Sequence, residues 1–349
     1  MEGNTYILDL TAHAKYVIMK HELQSKGSIM LPILISVVGT TASGKSSLGI
    51  DLAKHFGGEV VSADSRQVYR GLDLGTGKVT PEEIQGVPHH LLDIIDPNTP
   101  FSMAEYQSLA YNAIDGIIAR GKLPFLVGGT GLYARAVTSG YRLVDVLPDE
   151  EFRKEMESKT RAELVEMITP YGVDVSDPQI SPRRLVRILE KLRAGAPAEN
   201  ECCPRYNVLQ LGLTFERDVL YQRIEERLDA RIQAGMIEEV KALLDGGATP
   251  EFMEMLGLEY RYTYRYLAGQ YPSFEAYREQ LLTEIRRFAK RQQTWFRRDN
   301  DIIWLDANGD YLTQAIDLIN SMLLQAKAEE SASANTTNDF YTPTTDILL

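Results

Sequence analysis

A glycine-rich segment carries the clearest chemical signal in this sequence. Residues Gly39-Thr40-Thr41-Ala42-Ser43-Gly44-Lys45-Ser46 fit the pattern G-x-x-x-x-G-K-[S/T]. The glycines let the backbone curl so that successive N–H groups point at one phosphate, while Lys45 adds a positive charge. The Ser46 hydroxyl is a ligand for Mg²⁺, and the predicted helix that follows offers its positive N-terminus to the anion. The sequence therefore predicts a loop that binds a diphosphate or nucleotide, with Mg²⁺ as cofactor.

The second candidate is Asp64, which follows the predicted strand 59–63. A nucleotide hydrolase ends a hydrophobic strand in an acidic magnesium ligand, whereas the predicted strand 123–127 ends in Gly128-Gly129-Thr130-Gly131. At the carboxyl end of a neighbouring strand, Asp64 is expected to face the phosphate loop across the ligand-binding crevice. That position suits a general base acting on a nucleophile. The alternative is an aspartate that only caps a loop.

A cationic helix edge is predicted near the C-terminal end. Six basic residues and one acidic residue lie between Leu281 and Arg298, although the whole chain has 37 basic and 49 acidic side chains and a net charge of −12. Arg287 and Arg291 are spaced i, i+4, so one edge of the helix is positive. The edge fits an RNA backbone, and a solvated helix face is the alternative. The negative net charge excludes a surface that is positively charged all over.

These residues require a sheet to position them. Apolar, β-branched strands that alternate with helices predict an α/β fold with a P-loop parallel-sheet core. The core is expected to span 30–141 and 203–325 with a helical C-terminal part, interrupted by a helical insertion domain at 142–202. Residues 1–29 are an extension or a mis-assigned start, and the Ala/Ser/Thr/Asn-rich segment 326–349 is expected to be a flexible tail.

Composition bounds the remaining possibilities. Adjacent Cys202 and Cys203 form neither a disulfide framework nor a four-ligand zinc site, which favours a reducing compartment. The sequence predicts no membrane span and no signal peptide, so a cytoplasmic protein is expected. Adjacent His89 and His90 lack a third ligand at suitable spacing, so they are interpreted as hydrogen-bonding loop or pocket residues.

Several motifs in one order resemble the tRNA dimethylallyltransferase (isopentenyltransferase) family. Beyond the phosphate loop, they are Asp64-Ser65-Arg66-Gln67-Val68-Tyr69-Arg70-Gly71-Leu72-Asp73-Leu74-Gly75-Thr76-Gly77-Lys78, Pro88-His89-His90-Leu91-Leu92-Asp93, Val127-Gly128-Gly129-Thr130-Gly131-Leu132-Tyr133, Asp177-Pro178 with Pro182-Arg183-Arg184-Leu185, and Lys290-Arg291-Gln292-Gln293-Thr294-Trp295-Phe296-Arg297. The resemblance runs from about Ile33 to Arg298, and the combination is far more specific than the phosphate loop alone.

The resemblance implies transfer of a dimethylallyl group from dimethylallyl diphosphate to N6 of the adenosine 3′ of the tRNA anticodon, releasing diphosphate. It makes Asp64 the general base and assigns the leaving diphosphate to Lys45 and Arg217. Thr130 matches a threonine that bonds the bridging region of the substrate.

The resemblance also implies that tRNA, through its anticodon stem-loop, is the partner. The residues it assigns to tRNA binding are Asp64, Ser65, Arg66, Gln67, Thr130, Arg153, Arg183, Arg184, Arg187, Arg287, Lys290 and Arg291. We expect a monomer without a membrane partner.

Three other functions remain open from the residues. A P-loop small-molecule kinase would turn over ATP and would have no use for the segment Lys290–Arg297. A prenyltransferase acting on free adenine nucleotides would need no grip on a stem-loop, which the paired arginines of the insertion disfavour. A non-catalytic RNA-binding module would not require Lys45, Ser46, Asp64, Thr130 and Arg217 together.

Overall fold

The computed structural model describes residues 31–143, 146, 148–178 and 180–338 of this protein. The predicted extension 1–29 and the end of the predicted tail, 339–349, lie outside these residues. The chain divides into two compact units, of which the smaller is Ser139–Pro204 and the larger contains the segments on either side. Within the part of the chain that is described, no helix is long and apolar enough to cross a membrane.

The elements are numbered in chain order. The strands are β1 (Ile33–Val38), β2 (Glu59–Ser62), β3 (His89–His90), β4 (Pro124–Gly128), β5 (Tyr141–Arg142), β6 (Glu201–Cys202), β7 (Asn207–Thr214) and β8 (Ile302–Asp306). The helices are α1 (Lys45–Phe56), α2 (Pro81–Ile84), α3 (Met103–Ala119), α4 (Gly131–Thr138), α5 (Glu150–Glu157), α6 (Arg161–Ile168), α7 (Pro182–Arg193), α8 (Arg217–Gln233), α9 (Met236–Asp245), α10 (Pro250–Met255), α11 (Leu258–Leu267), α12 (Phe274–Phe296) and α13 (Tyr311–Asn338).

The larger unit is built on a parallel sheet with the strand order β3-β2-β4-β1-β7-β8. Its central strand β1 is almost wholly apolar and buried, as expected for a strand covered by helices on both faces. The predicted α/β class with a parallel core is confirmed. Because all six strands run the same way, their carboxyl ends meet at one edge, where the phosphate loop and Asp64 follow β1 and β2.

The alternation of β1 side chains explains the two layers of helices. Ile35 and Val37 face a buried cluster that includes Leu48 of α1 and Ile319 of α13. Their neighbours in the strand face the opposite cluster, which contains the buried residues of α3 and α4. A third cluster joins the apolar faces of α8 and α12 beside the phosphate loop.

Two local predictions are corrected by the structure. The final helix, predicted to end near Gln325, extends to Asn338, and Ala326-Lys327-Ala328-Glu329-Glu330 at the start of the additional part are strong helix formers. His89 and His90 are not in a loop but form the edge strand β3, which pairs with β2. Their expected hydrogen bonding is confirmed, since His90 Nε2 lies 2.7 Å from a Glu59 carboxylate oxygen and His89 Nδ1 lies 2.8 Å from the Val87 carbonyl oxygen.

The smaller unit has its own apolar core, formed by residues of α5, α6 and α7 such as Phe152, Leu164 and Leu185. A buried carboxylate lies within it. Glu190 accepts hydrogen bonds from Arg153 (2.7 and 3.1 Å) and Arg187 (2.8 Å). Burial alone would raise the pKa of Glu190, but the hydrogen bonds from the two arginines outweigh it and lower the pKa.

We predict that Glu190→Ala destabilises the smaller unit by about 2 kcal/mol, because charge-assisted hydrogen bonds are lost from a buried site. Amide hydrogen exchange in 139–204, measured by mass spectrometry at pH 7, should accelerate. The matched control is Glu150→Ala, which removes an exposed partner of the same arginine at 3.2 Å and should have little effect.

The same measurement has a pH arm. Because the pKa of Glu190 is lower in the folded state than in the unfolded state, its stabilisation is complete above the unfolded pKa and is lost as the pH falls through the folded pKa. The difference between wild type and Glu190→Ala should therefore shrink on acidification. An undiminished difference at acidic pH would contradict this role.

Candidate active site

The phosphate loop connects β1 to α1 in a conformation that depends on its glycines. Gly44 has a φ of 82° and caps the N-terminus of α1, and Gly39 has a φ of 156°. A side chain on Gly39 would collide with the Ser43 hydroxyl, at 2.9 Å. The buried Ser43 hydroxyl has no hydrogen-bond partner among the described residues. The loop thus has an unused polar group in its interior, as expected of a site built for a polar ligand.

Lys45 lies at the centre of a concentration of positive charge. Its ammonium donates to the Thr40 carbonyl at 3.3 Å. Burial and the nearby Arg227 guanidinium lower the pKa of Lys45 to about 8, although Asp64 acts in the opposite direction. Burial beside Arg231 likewise lowers the pKa of Arg227, yet a guanidinium keeps its charge in proteins. The phosphate loop and the cations beside it, Lys45 and Arg227, form a cradle. This cradle has an excess of positive charge that a bound polyphosphate would neutralise.

The tip of the loop is held by two arginines of α8 that sequence reasoning missed. Arg223 donates to the Ala42 carbonyl at 2.9 Å, and Arg227 donates to the Thr41 hydroxyl. The backbone of Ala42 has a φ of 61°, and its buried methyl group packs in the apolar cluster of α8 and α12. Arg223, Arg227 and Arg231 are spaced i, i+4, i+8, so one stripe of cationic side chains along a helix was the available signal.

Arg217, the residue assigned to the diphosphate from the resemblance, lies elsewhere. Its side chain is 78% exposed at the start of α8, and its guanidinium lies 3.5 Å from the equally exposed Asp218 carboxylate. The arginines that contact the phosphate loop are one and a half to three turns further along the helix. Arg223 and Arg227, whose contacts place their guanidinium groups at the loop, are therefore further candidates for binding the diphosphate, and the role of Arg217 stays a prediction.

Asp64 lies directly after β2, at the same sheet edge as the phosphate loop. One of its carboxylate oxygens accepts the Arg66 N–H at 2.9 Å, a local turn that fixes the side chain. Its negative charge raises the pKa of Lys45 and of Arg66, so the carboxylate lies within electrostatic range of the cradle. Asp64 therefore caps its turn and lies within electrostatic range of the cations, and its role as general base stays a prediction.

Thr130 holds the chain that follows Asp64. Its hydroxyl accepts the Ser65 N–H at 3.1 Å and lies 3.4 Å from the Ser65 hydroxyl. The approach is close because Gly128 has no side chain to collide with the Ala63 carbonyl. Thr130 therefore contacts the turn that follows Asp64, and its predicted contact with substrate stays a prediction.

Other polar contacts hold the segment that follows Asp64. The Gln67 amide donates to the Gly77 carbonyl at 3.2 Å, while the Arg66 guanidinium donates to the Met255 carbonyl at 3.0 Å. Another residue missed from the sequence, Glu239, accepts N–H groups from Asp73, Leu74 and Gly75 at 2.7 to 3.2 Å. These contacts hold the segment 65–78 in place, and the tRNA contacts of Ser65, Arg66 and Gln67 stay predictions.

The basic residues of α5, α7 and α12 that are predicted to bind tRNA fall into two groups. Arg183 and Arg184 on α7, and Arg287, Lys290 and Arg291 on α12, have exposed side chains, and so do the aromatic Phe288 and Trp295 of α12. Arg153 and Arg187 instead hold the buried Glu190. Their hydrogen bonds to that carboxylate give them a structural role that the sequence analysis did not foresee.

The fit of Mg²⁺ rests on Ser46, the second residue of α1. Its half-buried hydroxyl makes no hydrogen bond to any described residue, so its lone pairs remain for a ligand. Among the residues that the structure describes, no cluster of three or more His, Cys, Asp or Glu side chains could hold a metal. A P-loop cation needs none, because phosphate oxygens and water supply its other oxygen ligands.

We predict that Arg227→Ala weakens the binding of inorganic diphosphate by at least about tenfold, because a buried charge next to Lys45 is lost. Arg217→Ala is the control and should change the dissociation constant by less than about twofold, since its side chain is solvated. Calorimetric titration of both variants, with thermal unfolding to verify folding, tests this. A loss in Arg217→Ala as large as that in Arg227→Ala would support the original assignment.

The comparisons with known proteins find relatives over most of this chain. The IPP transferase family model matches residues 67–299, and the isopentenyl transferase model matches residues 32–96. A tRNA dimethylallyltransferase of Halalkalibacterium halodurans is 42% identical over 294 residues, which cover 78% of this chain and 90% of the relative. Another from Thermomicrobium roseum is 43% identical over 283 residues, covering 78% and 86% of the two chains.

Solved structures show the same relationship. The full-length tRNA isopentenylpyrophosphate transferase of Bacillus halodurans is similar with a TM-score of 0.65 and 39% identity, over 87% of this chain and 99% of that one. A eukaryotic dimethylallyltransferase acting on tRNA gives a TM-score of 0.71 and 27% identity, over 84% and 80%. These matches confirm the resemblance found in the motifs, and the chain belongs to the IPP transferase family.

Proposed function

We propose that this protein transfers the dimethylallyl group of dimethylallyl diphosphate to N6 of the adenosine 3′-adjacent to the tRNA anticodon. The observation that carries the proposal is the charge arrangement at one sheet edge. A phosphate loop closed by Arg223 and Arg227 lies within electrostatic range of the Asp64 carboxylate. The family of the chain indicates the class of reaction. An RNA acceptor, whose backbone is negatively charged, would account for the exposed cationic edge of α12.

The nucleophile requires activation, because the lone pair of an adenine amine is delocalised into the ring. A carboxylate that accepts one amine N–H increases the electron density on nitrogen and takes the proton as the N–C bond forms. Asp64 has this role in the proposal. Its second carboxylate oxygen makes no hydrogen bond to the described residues, so it is available to the amine.

The leaving group requires positive charge. As the bond between the allylic carbon and the diphosphate oxygen breaks, its electron pair remains on the diphosphate, whose negative charge grows. Lys45, Arg227, the loop N–H groups and the N-terminus of α1 are the groups that would stabilise it. Mg²⁺, which Ser46 would help to hold, would neutralise further charge on the diphosphate oxygens.

We predict that Asp64→Asn lowers the rate of transfer by a factor of about 10² or more, because the amide cannot accept the proton. Its affinity for dimethylallyl diphosphate should stay equal or increase, since a negative charge near Lys45 is removed. Mass spectrometry of an anticodon stem-loop RNA incubated with dimethylallyl diphosphate and Mg²⁺ measures the transfer. The control is Asp96→Asn, which alters an exposed carboxylate paired with Arg70.

The outcomes separate the proposed function from its rivals. Wild-type transfer to the stem-loop RNA but not to free adenine nucleotides supports the proposal. Transfer to free nucleotides alone, or phosphorylation of a small molecule by ATP without prenyl transfer, would overturn it. Full activity of Asp64→Asn in a single turnover would leave the function standing and remove Asp64 as the base.

We further predict that Lys290→Ala reduces the salt dependence of stem-loop binding. Each phosphate contact releases counterions, so removing one should make the slope of log affinity against log salt shallower by about 0.7–0.9. The matched control is Lys327→Ala, the same change at an exposed position on α13, which should leave the slope unchanged. Equal slopes for wild type and Lys290→Ala would return this edge of α12 to a merely solvated face.

A further inference from the structure

Gln292 connects the two loops that form the cradle. Its side-chain oxygen accepts the Thr41 N–H at 2.9 Å, and its side-chain nitrogen donates to the Gly129 carbonyl at 2.9 Å. One planar amide therefore fixes the separation between the tip of the phosphate loop and the turn that follows β4. No other side chain in the described residues bonds both of these loops.

The same amide is a close neighbour of Lys45. A side chain at Gly129 would lie 3.2 Å from the Gln292 amide nitrogen and 3.3 Å from the Lys45 ammonium nitrogen, so the two groups flank this glycine. One turn further along α12, Trp295 lies where a side chain on Gly131 would be. Residues 129–131 thus pack against one face of α12, and the absence of side chains at the two glycines allows it.

The helix that presents Gln292 also presents the cationic edge. Lys290 and Arg291 directly precede Gln292, and their side chains are exposed. Towards its N-terminus, α12 is fixed to α8 by ion pairs of Arg278 and Arg286 with Glu225, at 3.1 and 2.7 Å. The same two turns of α12 therefore carry both the exposed cations Lys290 and Arg291 and the glutamine that contacts the cradle.

We propose that Gln292 is a positioning residue that couples RNA binding on α12 to diphosphate binding in the cradle, an inference that rests on the proposed function. A glutamine side chain has several rotatable bonds, and ordering it costs conformational entropy. When RNA binds to these turns of α12 and immobilises them, the free energy of RNA binding offsets part of the conformational entropy that is lost on ordering Gln292. The diphosphate then binds to a loop whose tip is already fixed, so the two ligands bind with positive cooperativity.

The coupling is measurable as a ratio of two dissociation constants. Dimethylallyl diphosphate is titrated into the full chain with and without a saturating anticodon stem-loop RNA in which the acceptor adenosine is replaced by guanosine, so that no transfer occurs. In wild type we expect the RNA to tighten binding about fivefold or more, within the usual range of coupling between sites. In Gln292→Ala we expect the ratio to fall to about one, while RNA alone binds at least as tightly as it binds to wild type, because it no longer bears the cost of ordering the glutamine.

Gln293→Ala is the matched control. It removes the same atoms one residue further on, from a side chain that bonds neither loop, and should retain the wild-type ratio. Amide hydrogen exchange of the peptide containing 39–46 gives a second readout. RNA should slow this exchange in wild type and in Gln293→Ala but not in Gln292→Ala, an effect that a general loss of stability would not produce.

The results distinguish the inference from the function on which it rests. A wild type that binds both ligands with a ratio of one, or a Gln292→Ala variant that keeps the full ratio, overturns the coupling and leaves the proposed function intact. A wild type that binds neither dimethylallyl diphosphate nor the stem-loop overturns both. A ratio lost equally in Gln292→Ala and Gln293→Ala also overturns the assignment to Gln292.

Discussion

Cations that repel one another are held around a single loop, and the rest of the larger unit provides the forces that keep them there. Burial, and after it the repulsion among Lys45, Arg227 and Arg231, lowers the pKa of Lys45 and of Arg227. The hydrogen bond from Lys45 to the Thr40 carbonyl and the Coulombic attraction of Asp64 offset only part of this cost. The helix α8 is therefore fixed from outside the cradle, where Arg278 pairs with Asp229 at 2.6 Å. A bound diphosphate would remove the repulsion, so the strain of the free site favours its ligand.

The two carboxylates of β2 and its following turn show how environment separates a structural acid from a reactive one. Glu59, at the start of the strand, is buried and accepts hydrogen bonds from Arg120 at 2.6 Å and Lys122 at 2.9 Å, with His90 beside it. Burial opposes its ionisation, but these bonds prevail and lower the pKa of Glu59 to about 2. Asp64, beyond the other end of the strand, has one main-chain partner and an unused oxygen. A carboxylate saturated with donors cannot act as a base, so only Asp64 is suited to accept a proton.

The sequence predicted those parts of the site in which local geometry and chemistry coincide. The phosphate loop and Asp64 each follow a predicted strand, and parallel strands bring their carboxyl ends together, so their proximity could be inferred without coordinates. Contacts across long stretches of chain could not be inferred in this way. Gln292 meets Thr41 across 251 positions, and Arg223 meets Ala42 across 181. The spacing of the arginines in α8 showed that they share a face, but nothing local showed which face packs on the loop. The contacts of Arg153 and Arg187 with Glu190 could not be inferred either, because a buried acidic partner is indistinguishable in sequence from a solvated one.

The segment Asp73–Lys78 is also held by contacts with residues that are distant in sequence. Glu239 binds three successive N–H groups of this segment and also accepts the Tyr260 hydroxyl at 2.7 Å. The Tyr260 ring then occupies the space that a side chain on Gly75 would need, and the Arg231 guanidinium occupies that beside Gly77, whose φ is 62°. Larger side chains at these two positions would collide with Tyr260 and Arg231. Arg231 belongs to the cationic stripe of α8, and its charge acts on Lys45 and Arg227, so a side chain at Gly77 would collide with one of the cations of the site. The segment 73–78 and the phosphate loop are distant from each other in sequence, yet both contact arginines of the same stripe on α8.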